Sequence, residues 1–145
     1  MSAPQGGLAP ADLTAVLQTW ADRPDAWQLL ARHDHAERVY ALLHRDAGVE
    51  IYLVCWMPGH DTGFHDHDDS AAAITVVDGT ITEERLAITG RVERAVNRGD
   101  TVTIAREAIH RVRHAGTQVE PSARCGELVL TSWAKPSPKA CSTGP

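Results

Sequence analysis

Apolar residues recur at helical spacing near the start of the chain. Leu13, Val16, Leu17 and Trp20 occupy i, i+3, i+4 and i+7, one face of a helix. Asp22-Arg23-Pro24 ends that helix, since proline lacks an N–H and crowds the preceding turn. Asp25 is placed to cap a second short helix carrying Trp27, Leu30 and Ala31 on one side. From about Arg38 the period changes. Val39, Leu43, Val49, Ile51, Leu53, Val54, Ile74, Val76, Val77, Ile81, Leu86 and Ile88 form short apolar or alternating runs. Turn chemistry separates these runs at Asp46-Ala47-Gly48, Pro58-Gly59, Asp78-Gly79, Thr89-Gly90 and Arg98-Gly99-Asp100. Gly126 to Trp133 supplies a closing strand. Short strands with evenly spaced turns predict a mainly β chain, an antiparallel barrel or sandwich preceded by short helices.

The pattern fills one domain, residues 11–134, without an internal repeat. Residues 1–10, MSAPQGGLAP, carry neither a basic stretch nor an apolar core of signal-peptide type and read as a flexible leader. Residues 135–145, rich in Pro, Ser and Gly, read as a flexible tail that buries little. The formal net charge of -5, with acids and bases interspersed, offers no basic stripe for nucleic acid. No run of about 18 apolar residues is present, so no membrane-spanning helix is expected. Three scattered cysteines do not make a disulfide framework, and the default location is cytoplasmic. Monomer and homodimer are both compatible with the sequence.

The chemistry-bearing feature is a set of histidines. His65 and His67 stand two residues apart, and on a strand such residues share a face and can present two imidazoles to one cation. His110, on a strand across a barrel, can supply a third. Three neutral nitrogens with open positions suit a borderline transition metal that must also bind other ligands. Cys55 reads as a core residue and Cys125 as a loop thiol. His33, His35 and His60 read as solvated, the last in the turn before the ligand strand. Asp66 and Asp69 either orient imidazoles or shape the turn.

The spacing Gly59-x5-His65-x-His67-x4-Ala72-x6-Gly79 resembles the first cupin motif, with Ala72 where that motif usually has a ligating glutamate. Glu83 and Glu84, beyond Gly79, are alternative carboxylate ligands. The segment Gly99-x5-Ala105-x-Glu107-x2-His110-x3-His114 resembles the second motif, keeping its leading glycine and its histidine. The resemblance implies a single cupin double-stranded β-helix barrel. A more specific likeness rests on Pro24-x2-Trp27-x-Leu29-x-Ala31-x2-Asp34, Cys55-Trp56-x-Pro58-Gly59-x5-His65-Asp66-His67-x-Asp69-Ser70, Val77-x-Gly79-x3-Glu83-Glu84 and Ile109-His110-Arg111-Val112. In that order these segments resemble cysteine dioxygenase and related thiol dioxygenases. The resemblance implies an Fe(II) site ligated by His65, His67 and His110, and partners that are a small thiol, L-cysteine foremost, and O2. The implied reaction carries both oxygen atoms to sulfur and yields a sulfinate.

The departures from that family bear on substrate and product. Its Tyr-x-Arg pair, in which the arginine clamps the substrate carboxylate, falls on Arg38 and Tyr40 with the types exchanged. Arg38 either reaches a carboxylate from a shifted position or is a surface arginine. Its C-terminal Ser-x-His-x-Tyr triad falls on Val129, Thr131 and Trp133. Ala72 stands where some members carry a cysteine crosslinked to that tyrosine. His114 is either a proton donor in the pocket or a rim histidine, and Trp133 either walls the pocket or fills the barrel mouth. Two other readings follow from these losses. One is a divergent cupin oxygenase that gives a different product, with decarboxylation or sulfur–nitrogen bond formation. The other is a cupin that binds metal or a small ligand without turnover.

Overall fold

The computed structural model describes residues 10–67, 70–114 and 127–134. The expected leader (1–9 of it), the expected tail, Asp69 and Cys125 lie outside them. Helix α1 spans Pro10–Ala21. Eight strands follow: β1 Val39–Arg45, β2 Val49–Trp56, β3 Ala72–Asp78, β4 Thr80–Ala87, β5 Gly90–Asn97, β6 Thr101–Ile104, β7 His110–His114 and β8 Glu127–Ala134. They form two antiparallel sheets, ordered β1-β2-β8-β3-β6 and β5-β4-β7.

The inner strands β2 and β3 of the first sheet are buried on both faces over most of their length, which is why they read as apolar runs rather than strict alternation. Ile51, Leu53 and Cys55 of β2, with Ala73 and Leu130, pack toward Leu13, Leu17 and Trp27. The alternate residues Val54, Trp56, Ala72, Ile74, Val76 and Val129 pack toward Ile81, Val96 and Val112 of the second sheet. Helix, sheet and sheet therefore make three layers, with the interior of the sandwich between the two sheets. Leu13 and Leu17 are fully buried, and each contributes roughly 2 kcal/mol of hydrophobic stabilisation. Cys55 is a core residue as expected.

The turn signals sit where the strands end. Asp46 shapes the β1–β2 turn by accepting from the N–H groups of Gly48 and Val49 at 2.7 and 3.0 Å. Gly79 turns β3 into β4 at φ 86°, a left-handed conformation that residues with a Cβ rarely adopt. Two expectations fail locally. The second helix is instead a pair of three-residue 3-10 turns, Pro24–Ala26 and Gln28–Leu30, preceded by Arg23 rather than capped by Asp25. Trp27 alone is anchored there, its indole N–H donating to the Trp20 carbonyl at 3.0 Å, while Leu29 and Leu30 are exposed. One apolar anchor holds a turn but not an amphipathic helix. The closing strand ends one residue later than the pattern suggested, at Ala134.

Candidate metal centre

His65 and His67 do not lie on a regular strand. They sit in the connection between β2 and β3, and that connection is stitched to the outer edge of β7. The His114 N–H donates to the His60 carbonyl at 3.1 Å, and the Thr62 N–H donates to Val112 at 2.9 Å. His65 and His110 exchange both backbone hydrogen bonds, at 2.9 and 3.0 Å, as an isolated antiparallel bridge. Gly63, at φ 71°, bends the chain between these contacts. Its N–H donates to Asp61 Oδ1 at 2.8 Å. Asp61 is in turn gripped by the Arg111 guanidinium, with Nε at 2.9 and 3.0 Å from its two oxygens. That hydrogen bond and charge hold the Asp61 carboxyl below the usual range. The two-residue spacing still stacks the His65 and His67 rings, with centroids 5.0 Å apart and planes 12° from parallel.

The three imidazoles predicted from the sequence converge. His67 Nε2 is 3.1 Å from both His65 Nε2 and His110 Nε2. One candidate ligand atom from each of the three lies within 4.8 Å of the other two, and no carboxylate joins the group among the described residues. The partners on the far side of two rings fix their tautomers. His65 Nδ1 is 2.9 Å from the Gly63 carbonyl, and His110 Nδ1 is 2.8 Å from Glu83 Oε2. Both partners only accept, so both Nδ1 atoms carry the proton and both Nε2 atoms present lone pairs. Lone pairs facing one another at this distance repel unless a cation lies among them. An ion about 2.1 Å from each nitrogen leaves them about 3.0 Å apart at right angles and about 3.4 Å apart in a tetrahedron. The observed 3.1 Å between His67 and each of the other two lies nearer the right-angled spacing. The donor set therefore fits a divalent transition metal.

Burial and the neighbouring imidazoles favour the neutral, ligating form. Burial first, then the charges of His110 and His65, lower the His67 pKa to about 4. Burial lowers that of His65 as well, assisted by the positive charges of His110 and Arg38. Behind His110, Glu83 is 1% exposed yet ionised. Burial raises its carboxyl, but the bond to His110 and the cations Arg85 and Arg94 outweigh that and hold it low. Glu83 thus contacts the metal-facing histidine from behind and is not a substitute ligand. The sequence signal for this was available. Glu83 shares strand parity with Ile81, a core residue, so a carboxylate there needed a buried partner.

The remaining predicted residues divide. Arg38, just before β1, lies over the Tyr40 ring at 5.6 Å and over the Trp56 ring at 5.1 Å. It has no carboxylate partner among the described residues, and its charge is felt at His65. Tyr40 is partly exposed; burial raises its phenol while Arg38 opposes the shift. Beneath Arg38, Trp56 Nε1 is buried without a hydrogen-bond partner among the described residues. His114 is buried rather than on the rim and shares the parity of His110 on β7. Four residues of strand place it roughly 13 Å along from His110, outside the triad. Trp133 pairs in register with Ala72 and Glu50; its side chain lies outside the described residues. His60, expected to be solvated, is buried, with Nδ1 accepting from the Met57 N–H at 2.9 Å and Nε2 donating to the His35 carbonyl at 3.1 Å. It fastens the turn. His33 and His35 are exposed as expected, and so is Asp66.

Comparison with known proteins gives fold and family. The sequence model of the family described as cysteine dioxygenase type I matches residues 5–118. Cysteine dioxygenase type 1 of Rattus norvegicus is 29% identical over 73 residues, 50% of this chain and 36% of that protein. The Bos taurus protein of the same description is 26% identical over 77 residues, 52% of this chain and 38% of that one. The matched stretch is thus well under half the length of these relatives. A Thermus thermophilus structure superposes with a TM-score of 0.63 at 17% identity, covering 75% of this chain and 93% of its own. A Klebsiella pneumoniae protein with a double-stranded β-helix domain gives 0.61 at 13% identity, covering 74% and 80%. The cupin domain of Schizosaccharomyces pombe Cnp3 gives 0.55 at 10% identity, covering 66% and 59%. The two antiparallel sheets are those of a cupin, a double-stranded β-helix.

Proposed function

This chain belongs to the cysteine dioxygenase type I family, and from that premise we propose that it is an iron(II) thiol dioxygenase acting on a small thiol, L-cysteine foremost. The observation that carries the reading is the convergence of three Nε2 atoms, two of them fixed as lone pairs by Gly63 and Glu83. His65, His67 and His110 would hold the ion. Bound there, ferrous iron supplies Lewis acidity toward a thiol and the redox chemistry that adds both atoms of O2 to sulfur, giving a sulfinate.

The protein's own part is binding and restraint. Arg38, stacked between Tyr40 and Trp56, receives the substrate carboxylate; the stacking restrains its fork and leaves its N–H groups for the anion. Trp56 carries an N–H without a partner, a second donor that a carboxylate brought to Arg38 can satisfy. Holding carboxylate and sulfur at two fixed points restrains the thiol beside the histidine face. The enzyme works in the cytoplasm, as monomer or homodimer, with thiol and O2 as its partners. Among the described residues, no helix is long and apolar enough to cross a membrane.

A second reading, a divergent oxygenase with another product, draws on the β3–β8 register. The positions where the family keeps its serine, histidine and tyrosine are Val129, Thr131 and Trp133, opposite Val76, Ile74 and Ala72. Val129 offers no polar group, and Ala72 cannot crosslink to the residue opposite it. Anaerobic loading with Fe(II), followed by oxygen uptake with L-cysteine and product mass spectrometry, separates the readings. A gain of two oxygen atoms establishes the sulfinate; uptake with another product mass establishes the divergent oxygenase. No uptake with L-cysteine or with other small thiols overturns both in favour of a non-catalytic cupin.

A further inference from the structure

Glu83 occupies a position where an aliphatic residue would serve the fold better. On β4 it shares a face with Ile81, and it pairs in register with Val112, both in the interior cluster. A carboxylate that is 1% exposed in such a row loses several kcal/mol of hydration unless its neighbours return it. Its side-chain hydrogen bonds among the described residues go to Arg85, Arg94 and His110. Arg85 Nε lies 3.1 and 2.9 Å from its two oxygens, and Arg94 Nε lies 3.1 Å from Oε1. Oε2 accepts a hydrogen bond from His110 Nδ1–H at 2.8 Å. Arg85 is itself braced by donating to the Thr103 carbonyl, and it is the cross-strand partner of His110. Arg94 extends the chain outward, with half of its side chain in solvent.

The histidines are therefore not equivalent. His65 rests its Nδ1–H on a neutral backbone carbonyl, whereas His110 rests it on a full carboxylate backed by two guanidinium groups. A carboxylate behind an imidazole fixes the ring's rotation and tautomer and makes the opposite nitrogen a stronger donor. We propose that Glu83 is a positioning residue that makes His110 the anchoring ligand of the triad, and that Arg94 and Arg85 tune it through Glu83. This rests on the reading that the three histidines hold a divalent metal, but not on any particular substrate.

The test is the affinity of the metal-free full-length protein for Co(II) and Fe(II), titrated anaerobically, beside thermal melting of the same metal-free samples. E83Q keeps the volume and removes the charge, and should weaken metal binding about 10-fold; E83A should approach 100-fold. R94A, altering a half-exposed side chain, should weaken binding several-fold, beyond any drop in metal-free melting. The visible bands of bound Co(II) should shift in E83Q, because one ligand has become a weaker donor. If E83Q and R94A lower melting but leave affinity and Co(II) bands as in the wild type, Glu83 is only a structural charge and the proposal fails. A wild-type protein that binds neither ion overturns the metal reading itself, a result distinct from equal affinities across the variants.

Discussion

An arginine stacked on two rings and facing no carboxylate among the described residues keeps its charge for an anion that arrives from outside. Arg38→Ala should therefore raise KM for L-cysteine by about 10- to 100-fold, the range of one charge-assisted pair. Its effect on cysteamine, which has no carboxylate, should be small. Equal effects on both substrates would show that Arg38 does not hold the carboxylate. His65→Ala, His67→Ala and His110→Ala should each abolish bound iron and turnover, and full iron content in any one would remove that residue from the centre. At this scale the His65–His67 pair was legible because its spacing is local, and His110, 43 residues from His67, because of the motif around it. The support behind them was less so. Glu83 is 27 residues from His110, and only the register of β4 on β7 brings the two together. His60 looked like a loop residue, yet its two nitrogens close the turn around Met57 and His35.

Elements were readable wherever a turn has its own chemistry. Asp46 with Gly48, and Gly79, Gly90 and Gly99 at positive φ, fix where strands reverse whatever packs above them. The segment from His60 to His67 was not readable in that way. It behaves as a partial strand only because β7 offers an open edge to it, and an edge is a property of the assembled sheet. The Asp61–Arg111 pair fastens this segment without touching the histidine rings. Asp61→Ala should accordingly lower Co(II) affinity by a few-fold and speed metal release, with all three imidazoles intact. An affinity equal to that of the wild type would mean that the backbone bridges alone hold the segment.

Across the whole molecule, the site and the stability of the fold share a pH dependence. His67 titrates near 4 when folded but near 6.5 when the chain is open, so the unfolded state takes up the proton first. Its contribution to metal-free stability is fully present above about 6.5 and is lost as pH falls toward 4. The loss is on the order of 3 kcal/mol if the whole shift is expressed. Melting temperature plotted against pH should fall less steeply in this window for His67→Asn than for the wild type, and identical slopes would exclude His67 as a source. Saturating Fe(II) should protect against the same loss, adding roughly 2.7 kcal/mol at a hundredfold excess over Kd.

The bridge between His65 and His110 is made of main-chain atoms, two hydrogen bonds that replacement by any residue other than proline leaves in place. Two of the three ligand-bearing residues are thus held together by the peptide backbone before any ion arrives, and neither depends on what lines the cavity beyond. The buried positions Ala72, Val129 and Thr131 on β3 and β8 are free to change their chemistry without disturbing that main-chain bridge. Such a scaffold lets the choice of substrate and the capacity to hold a metal vary on separate schedules.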